Sequence, residues 1–282
     1  MRLPNLINMQ PVALTIAGSD PSGGAGIQAD LKTFHQMGVY GEAVITLLTV
    51  QNTVKVEQVE FVRPVLILHQ LRAVLDDIPP DAAKTGALGN RAIVEAVAEA
   101  AADFKFPLVV DPVMVSKHGV RLIAKDAYEA IRTKLIPRAY LVTPNLAEAS
   151  ELAGFEVRDV EGMRKAARAI SELGAEAVLV KGGHLAGGEA DEIAIDVLCT
   201  AGGNVREFTA PRIRTQQTHG TGCTYSAAIT ANLACGLALE DAVRRAKAFI
   251  TEAVRTAPGL GRGVGPVNHH AMAQSASGAG GV

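Results

Sequence analysis

The chain has 282 residues, a net charge of −2 and 48% hydrophobic residues, which is enough apolar material for a buried core and argues against disorder. It has no basic run interleaved with aromatic residues, so binding to nucleic acid or to a membrane surface has little support. The three cysteines are widely spaced, and no apolar stretch approaches the ~18 residues of a transmembrane helix, so we expect a soluble cytoplasmic protein without a disulfide framework.

Short apolar stretches alternate with helical patterns from residue 12 to about residue 255. The predicted strands cover residues 12–18, 43–51, 82–86, 107–113, 139–143 and 177–182. The predicted helices cover residues 26–37, 65–77, 91–104, 125–135, 146–153, 160–173, 222–235 and 239–256. The strands lack polar alternation, as is typical of strands covered on both faces. We therefore expect an α/β fold with a mostly parallel, doubly wound central sheet flanked by helices on both faces.

Residues 192–198 and 205–210 flank the turn sequence Ala201-Gly202-Gly203-Asn204 and predict a small antiparallel hairpin at one edge of the sheet. No linker or change of composition interrupts the chain before residue 268. We therefore expect a single domain over residues 1–268. Residues 269–282 are rich in Ala, Gly and Ser, which predicts a disordered tail.

Polar and glycine-rich motifs follow several of the predicted strands. Sheets of this type bind ligands beyond the carboxyl ends of their strands, so we expect these motifs to meet at one site. The motifs are residues 18–26, Gln51-Asn52, Asp111-Pro112, Thr143-Pro144-Asn145 and Lys181-Gly182-Gly183.

The segment of residues 218–224 places Gly220, Thr221 and Gly222 just before a run of small residues that predicts a helix. The first turn of a helix leaves backbone N–H groups unpaired and carries the positive end of the helix dipole. Glycines there let an anion approach the backbone, which predicts binding of phosphate or of charge that develops during a reaction. Cys223 lies at this helix start, where we expect the same field to lower the pKa of its thiol.

Several motifs have two open interpretations. Asn145 and Glu148 have the i, i+3 spacing of one helix face, which suits either a magnesium ion held through its waters or a helix cap with a first-turn glutamate. Asp111 is either a functional carboxylate at a strand end or the start of an Asp-Pro turn. Lys181 is either a phosphate ligand or a solvated loop lysine. The histidines show no metal-ligand spacing, so we expect no structural zinc.

Residues 24–29 superficially match the glycine pattern of dinucleotide-binding proteins. That fold needs a tight turn between the strand and the first glycine, whereas residues 19–24 form a longer connection. A dinucleotide-binding oxidoreductase is therefore a weak alternative. A Walker A phosphate loop is absent from the sequence, so any use of a nucleotide must follow another design.

Taken together, these segments resemble the hydroxymethylpyrimidine/phosphomethylpyrimidine kinases of thiamine biosynthesis, which have a ribokinase-like fold. The matching segments are residues 14–34, 51–53, 111–114, 143–148, 180–184, 218–224 and 261–267. The resemblance implies ATP-dependent phosphorylation of 4-amino-5-hydroxymethyl-2-methylpyrimidine and then a second phosphorylation that gives the diphosphate. The nearest alternative is a pyridoxal kinase, alone or as a dual activity, and a non-catalytic vitamin-binding protein is a weaker one.

The resemblance also implies roles for particular residues. Three would contact the pyrimidine: Gly18, Asp30 and Gln51. Three would form an anion hole for the transferred phosphoryl group: Gly220, Thr221 and Gly222. Cys223 stands where related sugar kinases carry an aspartate base, so we expect it to be a catalytic residue that can accept the alcohol proton. Two would organise Mg²⁺, namely Asp111 and Glu148, and two would bind the phosphates of ATP, namely Asn145 and Lys181. Many relatives have methionine at the position of Ala87.

Related enzymes are commonly dimers. We therefore expect a homodimer whose partners are a small pyrimidine and ATP, without nucleic acid or membrane.

Overall fold

The computed structural model describes residues 10–114, 123, 125–183, 185 and 192–272. Within those ranges, nine strands belong to one sheet. In chain order they are β1 (Val12–Ser19), β2 (Tyr40–Gln51), β3 (Val56–Phe61), β4 (Ala82–Thr85), β5 (Leu108–Val110), β6 (Leu141–Val142), β7 (Ala177–Lys181), β8 (Ile193–Thr200) and β9 (Val205–Pro211). Their order across the sheet is β3-β2-β1-β4-β5-β6-β7-β8-β9.

The strands from β2 to β7 in this order are parallel neighbours and form the middle of the sheet. Both edges are antiparallel, because β3 pairs with β2 and the hairpin of β8 and β9 pairs with β7. The mostly parallel sheet and its edge hairpin are therefore confirmed. Strand β3 is not among the predicted strands. Glu57, Gln58 and Glu60 are exposed, so this edge segment has no apolar run to indicate a strand.

Helices cover both faces of the sheet, as predicted. They are α1 (Gly26–Gln36), α2 (Pro64–Leu75), α3 (Arg91–Ala101), α4 (Lys125–Ala130), α5 (Leu146–Ala153), α6 (Val160–Ser171), α7 (Thr221–Ala234) and α8 (Leu239–Arg255). Helices α2 to α6 pack on one face, and α1, α7 and α8 pack on the other. Successive strand residues point to opposite faces. In β5, Leu108 and Val110 face the first layer and Val109 faces the second.

The predicted helix over residues 125–135 changes geometry part of the way along. After α4, Ile131–Leu135 forms a π-type turn and Ile136–Arg138 forms a 3-10 turn. Pro137 has no backbone N–H and cannot continue the α-helical hydrogen bonding. None of the helices in the described ranges is long and apolar enough to cross a membrane.

The disordered tail expected from residue 269 does not begin there. His269 and Ala271 are buried. His269 Nε2 lies 3.1 Å from Thr224 Oγ1, and the Gln36 side chain donates a hydrogen bond of 3.2 Å to the Ala271 carbonyl. The ordered chain therefore extends past the predicted boundary, and residues 273–282 lie outside the described residues.

Candidate active site

A cavity of about 490 Å³ opens at the carboxyl ends of the parallel strands. Its lining contains every residue for which the sequence predicts a role in the site: Gly18, Asp30, Gln51, Asp111, Asn145, Glu148, Lys181, Gly220, Thr221, Gly222 and Cys223. They meet because parallel strands end at the same edge of the sheet. Ala87 also lines this cavity.

The start of α7 forms one wall of the cavity. Gly220 caps the helix with a φ of 76°, and a Cβ there would lie 1.8 Å from the carbonyl oxygen of Gly24, so this position requires glycine. The Thr221 hydroxyl donates a hydrogen bond of 2.8 Å to the Thr218 carbonyl and holds the first turn. A Cβ on Gly222 would lie 3.4 Å from Lys181 Nζ. The Thr221 N–H donates to the Thr218 carbonyl at 3.3 Å, whereas the first turn of a helix leaves its other N–H groups free. These groups and the lysine therefore lie together in a region suited to an anion.

Asp111 and Lys181 form a buried ion pair beside this region. Lys181 Nζ donates to Asp111 Oδ1 at 2.9 Å, and the Ser226 hydroxyl donates to Asp111 Oδ2 at 3.2 Å. Although burial opposes it, the charges of Lys181 and Lys84 hold the pKa of Asp111 below its usual value. Asp111 is therefore a charged group of the cavity, and it holds the Lys181 ammonium group beside the start of α7.

Asn145 and Glu148 form a capping box at the start of α5. The Glu148 N–H donates to Asn145 Oδ1 at 3.0 Å, and the Asn145 N–H donates to Glu148 Oε2 at 2.8 Å. The capping interpretation is therefore confirmed, although the same two side chains also face the cavity. Burial raises the pKa of Glu148 to about 7, with Lys181 opposing the shift and Asp111 adding to it.

The carboxylates of Asp111 and Glu148 offer oxygen atoms of the kind that Mg²⁺ binds. Across the described part of the chain, no group of three or more His, Cys, Asp or Glu side chains is placed to hold a metal ion. Because Lys181 already occupies Asp111 Oδ1, this arrangement fits an ion that keeps several waters and takes its remaining ligands from phosphate oxygens, as Mg²⁺ does.

Asp30 lies beneath the cavity and is fully buried. Its Oδ1 accepts a hydrogen bond of 2.7 Å from Lys84 Nζ, and its Oδ2 accepts one of 2.6 Å from the Thr15 hydroxyl. These bonds fix the carboxylate in place, and each oxygen keeps a lone pair for a further donor. Lys84 also approaches the Cys223 carbonyl at 3.5 Å, so the pair supports the first turn of α7 from below. The sequence signal for Lys84 is one lysine within the short, otherwise small-residue strand β4.

Cys223 is half-buried in the cavity wall. Burial raises the pKa of its thiol to about 11, with the ammonium group of Lys84 opposing the shift and the carboxylates of Asp30 and Asp111 adding to it. The lowered pKa expected from the helix start is therefore wrong. Loss of water around the sulfur and the two nearby negative charges outweigh the field of the helix.

Asp20 and His219 form a second buried pair that the sequence reasoning missed. His219 Nε2 lies 2.7 Å from Asp20 Oδ2, and the Asp20 carboxylate also accepts from the N–H groups of Ser22 and Ala25, both at 2.8 Å. Although burial opposes it, the bonds from His219 and Ser22 hold the pKa of Asp20 well below its usual range. The pair joins the loop after β1 to the loop before α7. The only signal in the sequence is that both residues lie in polar, glycine-containing motifs, over residues 18–26 and 218–224.

The family model described as phosphomethylpyrimidine kinase matches residues 20–268. A thiamine biosynthesis bifunctional protein of Geobacter sulfurreducens is 49% identical over 257 residues, which cover 91% of this chain and 51% of that protein, so the chain spans about half of its length. A hydroxymethylpyrimidine/phosphomethylpyrimidine kinase of Streptomyces coelicolor is 46% identical over 92% of this chain and 94% of its own.

Among solved structures, an ADP complex of Bacillus subtilis pyridoxal kinase superposes with a TM-score of 0.85. It is 41% identical and covers 93% of this chain and 98% of its own. This likeness confirms the predicted ribokinase-like architecture and therefore argues against the alternative of a dinucleotide-binding oxidoreductase. With the match over residues 20–268, the chain belongs to the phosphomethylpyrimidine kinase family.

Proposed function

We propose that this chain uses ATP to phosphorylate 4-amino-5-hydroxymethyl-2-methylpyrimidine on its hydroxymethyl oxygen, and then phosphorylates the monophosphate to the diphosphate, in thiamine biosynthesis. The observation that carries this proposal is the single cavity that joins an anion-binding helix start to the acceptor-side residues Gly18 and Gln51. The names of the curated relatives support the choice of substrate.

The start of α7 supplies the electrostatic part of the mechanism. Phosphoryl transfer depends mainly on positioning and on stabilising the charge of the transferred group. We assign this role to the backbone N–H groups of Gly220, Thr221 and Gly222, together with Lys181. The Thr221 N–H donates only a long bond of 3.3 Å to the Thr218 carbonyl, which a phosphoryl oxygen would replace. Because Asp111 holds Lys181 in place, the positive charge is already oriented before the transition state forms.

We assign Asn145 and Lys181 to the phosphates of ATP, and Asp111 and Glu148 to Mg²⁺ through its waters. When bound, the ion would neutralise charge on the phosphate oxygens. Asn145 is fixed by the capping box, so its position does not depend on the ligand.

We assign the acceptor to the part of the cavity that Gly18, Leu47 and Gln51 line. A Cβ on Gly18 would lie 2.5 Å from Leu47 Cδ1, so Leu47 packs directly against the Gly18 backbone and offers an apolar contact for a ring. The Gln51 amide can both donate and accept hydrogen bonds, which suits the nitrogen-rich edge of a pyrimidine. We propose that Asp30 acts on this acceptor from beneath, through Lys84.

We place Cys223 beside the acceptor oxygen. With a pKa of about 11, on the order of one thiol in ten thousand is ionised at pH 7, so the group is essentially neutral. A neutral group tolerates both acceptors, because the phosphate monoester of the second step is itself largely ionised, with a second pKa of about 6. Removal of the alcohol proton in the first step falls to the small thiolate fraction.

Pyridoxal kinase activity is the second candidate function. The likeness to the Bacillus subtilis pyridoxal kinase favours it, and so does Ala87, whose small side chain leaves room in the cavity for a different ring. We further propose that the protein is a cytoplasmic homodimer, for which the exposed edge at β9 offers a surface.

The deciding experiment follows product mass with Mg-ATP and, in separate tubes, hydroxymethylpyrimidine, its monophosphate, and pyridoxal. We expect diphosphate from the monophosphate, because a pyridoxal kinase has no need of that step. Phosphorylation of pyridoxal alone would contradict the substrate assignment. The Gly220→Ala variant, purified in parallel, controls for a contaminating kinase, since its Cβ would lie 1.8 Å from the Gly24 carbonyl oxygen.

A further inference from the structure

Residues 261–267, which we call the glycine strap, do not line the cavity. Three of them are glycines, at positions 261, 263 and 265. The strap lies against the chain just after β2 at one end and against the loop before α7 at the other. These are the two sides between which the phosphoryl group would pass.

At its first end the strap is in backbone contact with Thr53. The Val264 N–H donates to the Thr53 carbonyl at 2.8 Å, and the Gly263 N–H donates to Thr53 Oγ1 at 3.3 Å. A Cβ on Gly261 would lie 2.4 Å from Thr53 Oγ1, and a Cβ on Gly263 would lie 2.1 Å from the Thr53 carbonyl oxygen. This end therefore accepts only glycine without displacing Thr53, which follows Gln51 by two residues.

At its second end the strap holds the backbone of His219. The His219 N–H donates to the Gly265 carbonyl at 3.0 Å, and the Val267 N–H donates to the His219 carbonyl at 3.3 Å. A Cβ on Gly265 would lie 1.8 Å from Gln217 Oε1, so this contact is also close. Because His219 directly precedes Gly220, the strap fixes the residue from which the anion-binding turn starts.

The side chain of His219 completes the connection. It bonds to Asp20, whose carboxylate also orders the loop that follows β1 and Gly18. The end of β2, the loop after β1 and the start of α7 are thus tied together through His219 and the strap. Short backbone contacts thus run from Thr53 through the strap to the residue before the helix start.

We propose that the glycine strap, acting through the positioning residues Thr53 and His219, sets the distance between the bound acceptor and the N–H groups at the start of α7. This inference rests on the proposed function. Misplacing reacting groups by about 1 Å can lower a rate roughly 100-fold. When the acceptor oxygen is out of line, water takes its place, and ATP and water give ADP and inorganic phosphate.

Two glycines provide a matched test. Gly261 and Gly259 have positive φ angles, 85° and 69°, so alanine strains the backbone at both positions. A Cβ at Gly261 meets Thr53, whereas a Cβ at Gly259 meets open space. The assay measures kcat, the KM for ATP and for the acceptor, and the ADP formed per phosphorylated product. For Gly261→Ala we expect kcat to fall roughly 10- to 100-fold with an unchanged KM for ATP, and ADP to exceed product. For Gly259→Ala we expect values close to those of the parent chain.

Equal losses in the two variants, or ADP that still matches product in Gly261→Ala, would overturn the proposal. If Gly261→Ala does not fold, Thr53→Val replaces it, since it removes the Oγ1 acceptor without adding bulk. For Thr53→Val we again expect more ADP than phosphorylated product. Equal amounts of the two would contradict the proposed role of the strap. A parent chain that phosphorylates no acceptor contradicts the proposed function instead, so the two failures are distinguishable.

Discussion

Cys223 lies among a buried ammonium group and two buried carboxylates, and its properties follow from those neighbours more than from its helix. The charge of Lys84 opposes the rise of its pKa, while Asp30 and Asp111 reinforce it. A neutral sulfur at this point leaves the charges around it balanced, with two lysines facing two aspartates. A group that ionised here would disturb that balance.

We therefore expect Cys223→Asp to impair the second phosphorylation more than the first. A new carboxylate beside Asp30 and Asp111 repels the dianionic monophosphate, and charges a few ångströms apart near a protein surface interact by several kcal/mol, so the extra loss should be roughly tenfold or more. The measurement is kcat/KM for the alcohol and for the monophosphate.

Cys223→Ala serves as the matched control, because it removes the sulfur without adding charge. It should lower turnover of the alcohol and leave ATP binding intact. Equal losses in both steps for Cys223→Asp would contradict this view of the site, and unchanged activity in Cys223→Ala would make Cys223 a packing residue.

At the scale of elements, the ion pair of Lys84 and Asp30 joins strand β4 to helix α1, and Thr15 connects it to β1. Both charged side chains are fully buried. Such a pair is weak support for stability as long as it is intact, but removing one partner leaves an uncompensated charge in the interior.

Lys84→Met should therefore destabilise the fold by about 3–5 kcal/mol, and Lys84→Met combined with Asp30→Asn should recover most of that loss. Urea unfolding of the parent chain and both variants measures the effect. A double variant as unstable as the single one would show that lost packing, rather than the unpaired carboxylate, causes the change.

At the scale of the whole molecule, the sheet and its ligand-binding edge could be predicted because they depend on local patterns. Apolar stretches indicate the central strands. The motifs that begin at Gln51, Asp111 and Lys181 follow such strands, and they meet because parallel strands end at the same edge of the sheet. The pairs Lys84–Asp30 and His219–Asp20 could not be predicted, because no local pattern shows that a strand lysine contacts a helix aspartate or that side chains of two loops bond to each other. The pKa of Cys223 depends on its burial beside Lys84 and Asp30, so it could not be predicted either.

Global stability should depend on pH through Glu42 on β2. Burial first, and then the charge of Asp77, raise the pKa of Glu42 from 4.5 to about 7, and its Oε2 has no hydrogen-bond partner among the described residues. Between these values the folded chain binds more protons than the unfolded chain, so the contribution of Glu42 to stability falls as pH rises through this window.

Glu42→Gln should consequently be more stable than the parent chain at about pH 8, with a smaller difference at about pH 5. Urea unfolding at both pH values tests this, with Glu99→Gln on α3, an exposed position, as the control. A difference between Glu42→Gln and the parent chain that does not change with pH would contradict the assignment.

The position of the glycine strap in the chain has a consequence for biosynthesis. A ribosome synthesises the strands of the sheet, the anion-binding turn and both positioning residues before it reaches residues 261–267. A nascent chain can thus begin to fold its sheet while the link between Thr53 and His219 is still missing. We therefore expect the chain to become catalytically active only after the strap has been synthesised. A chain that ends before residue 261 would still bind its ligands but would not align them for transfer.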